Sequence, residues 1–420
     1  MTFDSFASAH AFLLGSTLVA SIILGAVVNK TNFCTMGAIS DAVNIGDLGR
    51  FRAWLLAIAI ATLGVTVLEF SGVISVSSAF PPYRNGQLII GENLLGGLLF
   101  GIGMTLASGC GNKTLVRIGG GNLKSIVVFA IIALVAWYMI NPLPGSDQTL
   151  FSLLFYHWIR AASIPLSGEQ DIGALLGGDN KRYFRLGAGL LVSALLFIYV
   201  FRSRAFRRSF DNILGGVVIG LIVLSGWYVT SGIQINADDS LYTLASYYEE
   251  WDMLSDSEAG KPALGRSVSP QSYTFINPIG QTYGYLKEGL RSNLVSFGLV
   301  AVLGVVLGSL LWSLMSRSFR LEWFASWRDF ITHAIGAMLM GVGGVLALGC
   351  TIGQGISGFS TLALGSILTL GAIILGSALT MKVQYYKLVY EEEASFLKAL
   401  LSSLADLKLA PAALRRLDPI

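Results

Sequence analysis

Gly341-Val-Gly-Gly-Val-Leu-Ala-Leu-Gly-Cys-Thr-Ile-Gly-Gln-Gly-Ile-Ser-Gly358 sets a glycine-flanked cysteine, Cys350, inside a stretch apolar enough to cross a membrane. A near copy lies 240 positions earlier: aligning Cys350 on Cys110 superposes Gly336 on Gly96, Gly341 on Gly101, Gly343 on Gly103, Ala347 on Ala107 and Gly349 on Gly109. The chain therefore carries an internal repeat centred on a thiol.

Working outward, the composition places the repeat in a bilayer. Hydrophobic residues make up 54% of the chain and charged ones 13%, with a mean hydropathy of +0.67. The fold class read from this is an all-α polytopic membrane protein. Nine crossings are expected, at about 9–28, 53–72, 94–118, 125–140, 186–201, 213–230, 294–315, 330–359 and 362–381. The first lacks a basic leader and a small-residue cleavage site and is read as a retained helix. Most of the 49 glycines fall in apolar runs, where small residues allow close helix packing.

Cationic loops orient the crossings. Arg202, Arg204, Arg207 and Arg208 form one basic loop and Arg317, Arg320 and Arg328 another, and both are expected on the cytoplasmic side. Residues 231–289 carry eight acidic and three basic residues, fitting the opposite face. The N-terminus is then periplasmic and the C-terminus cytoplasmic. The Cys110 segment runs inward and the Cys350 segment outward, so residues 53–141 and 291–382 read as inverted-topology repeats within a single transport domain, each a helix, a broken helix and a helix. External insertions are expected at 141–185, with a surface helix over 149–160, and at 231–289. A cytoplasmic tail over 385–420 has Phe396, Leu397, Leu400, Leu401 and Leu404 at amphipathic spacing, suited to the inner membrane surface.

The breaks carry the chemistry. Gly109, Gly111, Gly349 and Gly353 are expected where the backbone needs conformations other residues avoid. Cys34, in Asn32-Phe-Cys-Thr-Met-Gly-Ala-Ile-Ser40, also precedes a short helical stretch. Three helix starts bring unpaired N–H groups to a point, which favours an anion. Asn32, Thr35, Asn112, Thr114, Thr351 and Gln354 add polar groups along the path, and Lys113 with Arg117 adds positive charge. Thiols are soft, weak hydrogen-bonding groups suited to a sulfur-bearing solute that must be released, and they are read as neutral at rest.

Other classes find less support. Three cysteines without a C-x-x-C pair do not form a disulfide framework or a dithiol redox motif. His10, His157 and His333 have no ligand spacing, so no metal or other cofactor is expected. No phosphate-binding G-x-x-x-x-G-K-[ST] occurs, nucleic acid is not implied by a net charge of +3, and no enzymatic activity is expected. Asp41 and Glu69 are the carboxylates considered for proton coupling.

The motifs Asn32-Phe-Cys-Thr-Met-Gly37, Ser108-Gly-Cys-Gly-Asn-Lys-Thr114 and Gly349-Cys-Thr-Ile-Gly-Gln-Gly-Ile-Ser-Gly-Phe-Ser-Thr361 resemble those of the YeeE/YedE family of bacterial inner-membrane sulfur transporters. The resemblance covers about residues 10–382. It implies an hourglass-shaped protein that takes up thiosulfate, with Cys34, Cys110 and Cys350 relaying the ion by S–H···S hydrogen bonds. It also implies a small cytosolic sulfur-carrier partner of the TusA type. Selenium compounds or other sulfur oxyanions are alternative cargoes, and a membrane thiol oxidoreductase is the rival from another class.

Overall fold

Long apolar runs bounded by serine and glycine dictate a helical molecule, because in hydrocarbon each backbone N–H must find its partner within its own segment. The computed structural model describes residues 1–166, 168–238, 240–254, 261–262, 268–391 and 393–418. Part of the 231–289 insertion and the last residues of the tail therefore lie outside the described residues. Among the described residues, nine helical segments are long and apolar enough to cross a membrane. The protein is a mostly helical, multi-pass membrane protein.

The helices that position the site are α1 (Phe6–Thr31), α2 (Thr35–Ser40), α3 (Gly49–Phe70), α4 (Ile90–Leu106), α5 (Gly111–Gly119) and α6 (Leu123–Ile140). In the second half, α7 (Lys181–Phe201) and α8 (Phe210–Gly232) precede α9 (Ile276–Lys287), α10 (Phe297–Met315), α11 (Trp327–Leu346), α12 (Leu364–Val389) and the tail helix α13 (Phe396–Asp406). Serine side chains set several starts: Ser296 accepts from Leu299 N–H at 3.3 Å and Ser326 from Asp329 N–H at 3.1 Å. Two small sheets tie the ends together, β1 (Thr2–Phe3) with β4 (Gln234–Ala237) and β5 (Ser240–Thr243), and β2 (Gln87–Ile89) antiparallel to β3 (Ser163–Pro165).

Helices α4 and α11 form the centre, flanked by α12 and α6. Their glycines explain the approach. A Cβ on Gly96 would come within 2.6 Å of Ala347 N, and one on Gly336 within 2.6 Å of Ala107 N. Likewise a Cβ on Gly103 would meet Gly336 O at 2.6 Å, and one on Gly343 would meet Gly96 O at 2.6 Å. These contacts exchange under the 240-residue offset, and they run in opposite chain directions. The two broken helices therefore pack antiparallel in a reciprocal register. A second close crossing joins α1 to α10, where a Cβ on Gly308 would lie 1.9 Å from Ile22 O.

Two elements differ from expectation, and the tail adds a contact of its own. The surface helix expected over 149–160 is split at Phe155 into Leu150–Leu154 and Tyr156–Ile159. Within the 231–289 insertion, α9 is part of the core, with Phe275, Ile276 and Ile279 fully buried, because its apolar face packs on α6 and α10. In the tail, α13 buries Ala399, Ser402 and Ser403 against the chain, leaving Phe396 and Leu397 exposed. The small side of that helix docks together with Leu400, which packs on Val383 and Tyr386; Asp406 fixes it by accepting from Tyr386 at 2.7 Å and pairing with Arg415.

Candidate functional site

Each cysteine stands at the start of a helical segment, and each is preceded two residues earlier by a residue in the left-handed region: Asn32 (φ 50°), Ser108 (φ 58°) and Leu348 (φ 56°). That reverses the chain at the helix end and throws the next segment off at an angle. The breaks thus differ from expectation in detail. Gly109, Gly111, Gly349 and Gly353 are not the left-handed residues; they are small because neighbours crowd them. A Cβ on Gly353 would sit 2.4 Å from Thr274 Oγ1, and one on Gly111 would sit 3.1 Å from Ile276 Cδ1.

After Leu106 the chain breaks at Ala107–Cys110 and resumes as α5; after Leu346 it breaks at Ala347–Cys350 and resumes as a turn that widens to a π-helix over Gly353–Gly358. Cys34 Sγ accepts from Gly37 N–H at 3.5 Å and Cys350 Sγ from Gly353 N–H at 3.4 Å. Both sulfurs therefore cap helical starts. All three cysteines are free and buried. Cys110 lies within electrostatic reach of both Cys34 and Cys350, and the Thr351 hydroxyl sits against it. The fold thus gathers three distant breaks around one region.

Recesses approach this region from opposite ends of α1. One, of about 530 Å³, is lined by Asn29, Asn32, Ser108, Lys113, Arg117 and Arg320 among others. It is polar and net cationic, with Lys113, Arg117, Lys124 and Arg320 against Glu322 and Asp329. Lys113 Nζ donates to Asn32 Oδ1 at 2.6 Å, bridging the break before Cys34 to the turn after Cys110. The other, of about 210 Å³, is lined by His10, Gln271, Thr274, Asn277, Gln281 and Ser296 and is mainly uncharged. Its inner wall, Thr274, stands against Cys350.

A family profile described as Sulphur transport matches residues 30–379, from just before Cys34 to beyond Cys350. This chain belongs to the sulphur-transport family. It is similar to the thiosulfate transporter TsuA of Escherichia coli, at 24% identity over 81% of this chain and 86% of that protein. It is also similar to the thiosulfate transporter TsuA of Spirochaeta thermophila, at 23% identity over 87% of this chain and 97% of that protein.

Within this sulphur transporter the polar residues expected along the path divide. Asn32 and Lys113 face the cationic recess, while Thr35, Asn112 and Thr351 are buried beside the cysteines. Asn112 Oδ1 and Thr351 Oγ1 lack hydrogen-bond partners. Thr114 instead donates back to Cys110 O at 3.1 Å, and the Gln354 amide donates to Ala347 O, so these two brace the breaks from inside. Glu69 and Asp41 are not free carboxyls: Arg84 grips Glu69 at 2.5 and 2.9 Å, and Arg50 grips Asp41 at 2.5 Å twice. Sequence reading missed Thr274 and Arg50. Thr274 sits in the segment read as external, outside the repeats; Arg50 reaches the turn after Cys34 only because Gly37 leaves room, a Cβ there falling 2.3 Å from Arg50 Nη1.

Proposed function

We propose that this sulphur transporter carries thiosulfate inward across the bacterial inner membrane, passing it along Cys350, Cys110 and Cys34 by hydrogen bonds from neutral thiols. The observation that carries the reading is the gathering of three buried, unbridged cysteines from separate helix breaks between an uncharged recess and a cationic one. Weak donors in series hold an ion briefly at each point and let it go. Lys113 at the cationic end offsets the cost of dehydrating a divalent anion and draws it onward.

In this reading the N-terminus and the uncharged recess are periplasmic, and the cationic recess and C-terminus are cytoplasmic. The antiparallel register of α4 and α11 supports two inverted repeats, 53–141 and 291–382, arranged as an hourglass around the thiols. An anion moved inward opposes the membrane potential by roughly 2.3 kcal/mol per charge per 100 mV. A cytosolic acceptor, such as a carrier of the TusA type suited to receive sulfur at the cationic recess, would keep the flow inward by removing the ion.

The test is uptake of labelled thiosulfate by cells lacking their own sulfate and thiosulfate importers. The intact chain is expected to restore uptake, and Cys34→Ala, Cys110→Ala and Cys350→Ala each to return it to background at equal membrane levels. Uptake retained in all three variants would reduce the thiols to packing. Uptake of selenite or sulfite in place of thiosulfate would reassign the cargo. A disulfide forming among the three during turnover would favour thiol redox chemistry.

A further inference from the structure

Two buried hydroxyls stand beside the relay without partners of their own. Thr274 is 8% exposed and Thr351 0% exposed, and neither Oγ1 makes a regular hydrogen bond. An orphaned hydroxyl in an apolar interior carries an unfavourable desolvation cost, so its persistence needs a reason. Each lies against a cysteine: Thr274 against Cys350, and Thr351 against Cys110. Each hydroxyl is close enough to act on its thiol, and beyond that sulfur neither Oγ1 has a partner. The protein also keeps space for one of them. Gly353 has no side chain where a Cβ would meet Thr274 Oγ1 at 2.4 Å.

Resting on the transport reading above, we infer that Thr274 with Cys350, and Thr351 with Cys110, form two successive hydroxyl–thiol subsites that each hold the ion at two points. The hydroxyl, a hard donor, takes an oxygen of the sulfonate end. The thiol, a soft and weak donor, takes the terminal sulfur. Such a pair selects an anion that carries both kinds of atom. Sulfate lacks the soft end and hydrosulfide lacks the hard one, so each engages half of a subsite. The orphaned hydroxyls are then donors awaiting the ion, and the cost of leaving them unpaired is recovered when it binds.

Position gives the two subsites an order. Thr274 also lines the uncharged recess, so its pair is the first reached from that end. Thr351 immediately follows Cys350 in the chain yet faces Cys110, so the second hydroxyl lies at the handover between the two thiols. Cys34 completes the route beside Lys113, whose ammonium takes over the oxyanion there.

Thr274→Val and Thr351→Val keep the shape and remove the hydroxyl. Each is expected to raise the KM for thiosulfate uptake by about 10-fold or more, the loss of one hydrogen bond to a charged group. Thr274→Ser and Thr351→Ser are expected to restore the wild-type KM. Wild-type KM in the valine variants would overturn the inference while leaving the thiol relay standing. Serine variants as impaired as the valine ones, at equal amounts of monodisperse protein, would also overturn it by assigning the effect to packing of the methyl group. An intact chain that takes up no thiosulfate would remove the transport reading and this inference together.

Discussion

Lys113 shows how one side chain couples two breaks. It stands three residues after Cys110 and reaches the oxygen of Asn32, the left-handed residue that turns the chain toward Cys34. Among the described residues it has no acidic partner in an ion pair, which in the proposed route leaves its charge for an arriving anion. Lys113→Gln is expected to lower the uptake rate by about 10-fold, with Lys113→Arg partly preserving it. Initial rates at saturating thiosulfate would check this, and unchanged rates would make the lysine a helix brace. Arg50 lies close by but is committed to Asp41 in a two-pronged pair, so it shapes the turn after Cys34 and offers less charge to the path.

At the scale of elements, the strap over 168–185 clasps the far end of the second break. Ile172 N donates to Leu362 O at 3.1 Å and Leu364 N to Gln170 O at 2.9 Å, so the strap and the start of α12 are stitched backbone to backbone. Beneath them buried Arg84 and Asp171 join half-buried Arg185, Glu69 and Glu169 in a charge network, with Arg84 also donating to Thr361 O at 2.9 Å. Burial pushes the Asp171 carboxyl up, but the Arg185 hydrogen bonds and the charge of Arg84 outweigh it and hold the group below its ordinary value of 3.8. A depressed carboxyl stabilises the fold above the unfolded value and loses that contribution as pH falls through the lower, folded one. Asp171→Asn is therefore expected to cost about 2 kcal/mol near neutral pH. The gap from wild type should close below about pH 4. Thermal unfolding of the detergent-solubilised protein across pH would read this, and a gap independent of pH would show that the carboxylate charge is not what holds the strap.

At the scale of the whole molecule, the proposed orientation rests on the basic loops and the direction of the repeats together. A reporter active only in the cytosol is expected to work when fused after Ile420 or inserted in the Arg204–Arg208 turn, and to fail when inserted near Glu249. The reverse pattern would invert the direction assigned to the two recesses.

Apolar run length and the 240-residue echo made the crossings legible from sequence, because membrane insertion depends on local hydropathy and needs no knowledge of neighbours. The three cysteines were legible for a related reason: each sits in a break whose polar and small residues interrupt an otherwise apolar run. Positions of the left-handed residues were not, since serine and leucine adopt that conformation only under the constraint of packed helices. Nor was Thr274, which lies far from every cysteine in the chain and meets Cys350 only when α9 folds into the core. What the sequence by itself determined was a helical membrane protein with three interrupted segments, each marked by a thiol. Tertiary packing alone decided which hydroxyls, amides and charges stand beside those thiols, because contacts between residues distant in the chain arise only when whole helices have found their register.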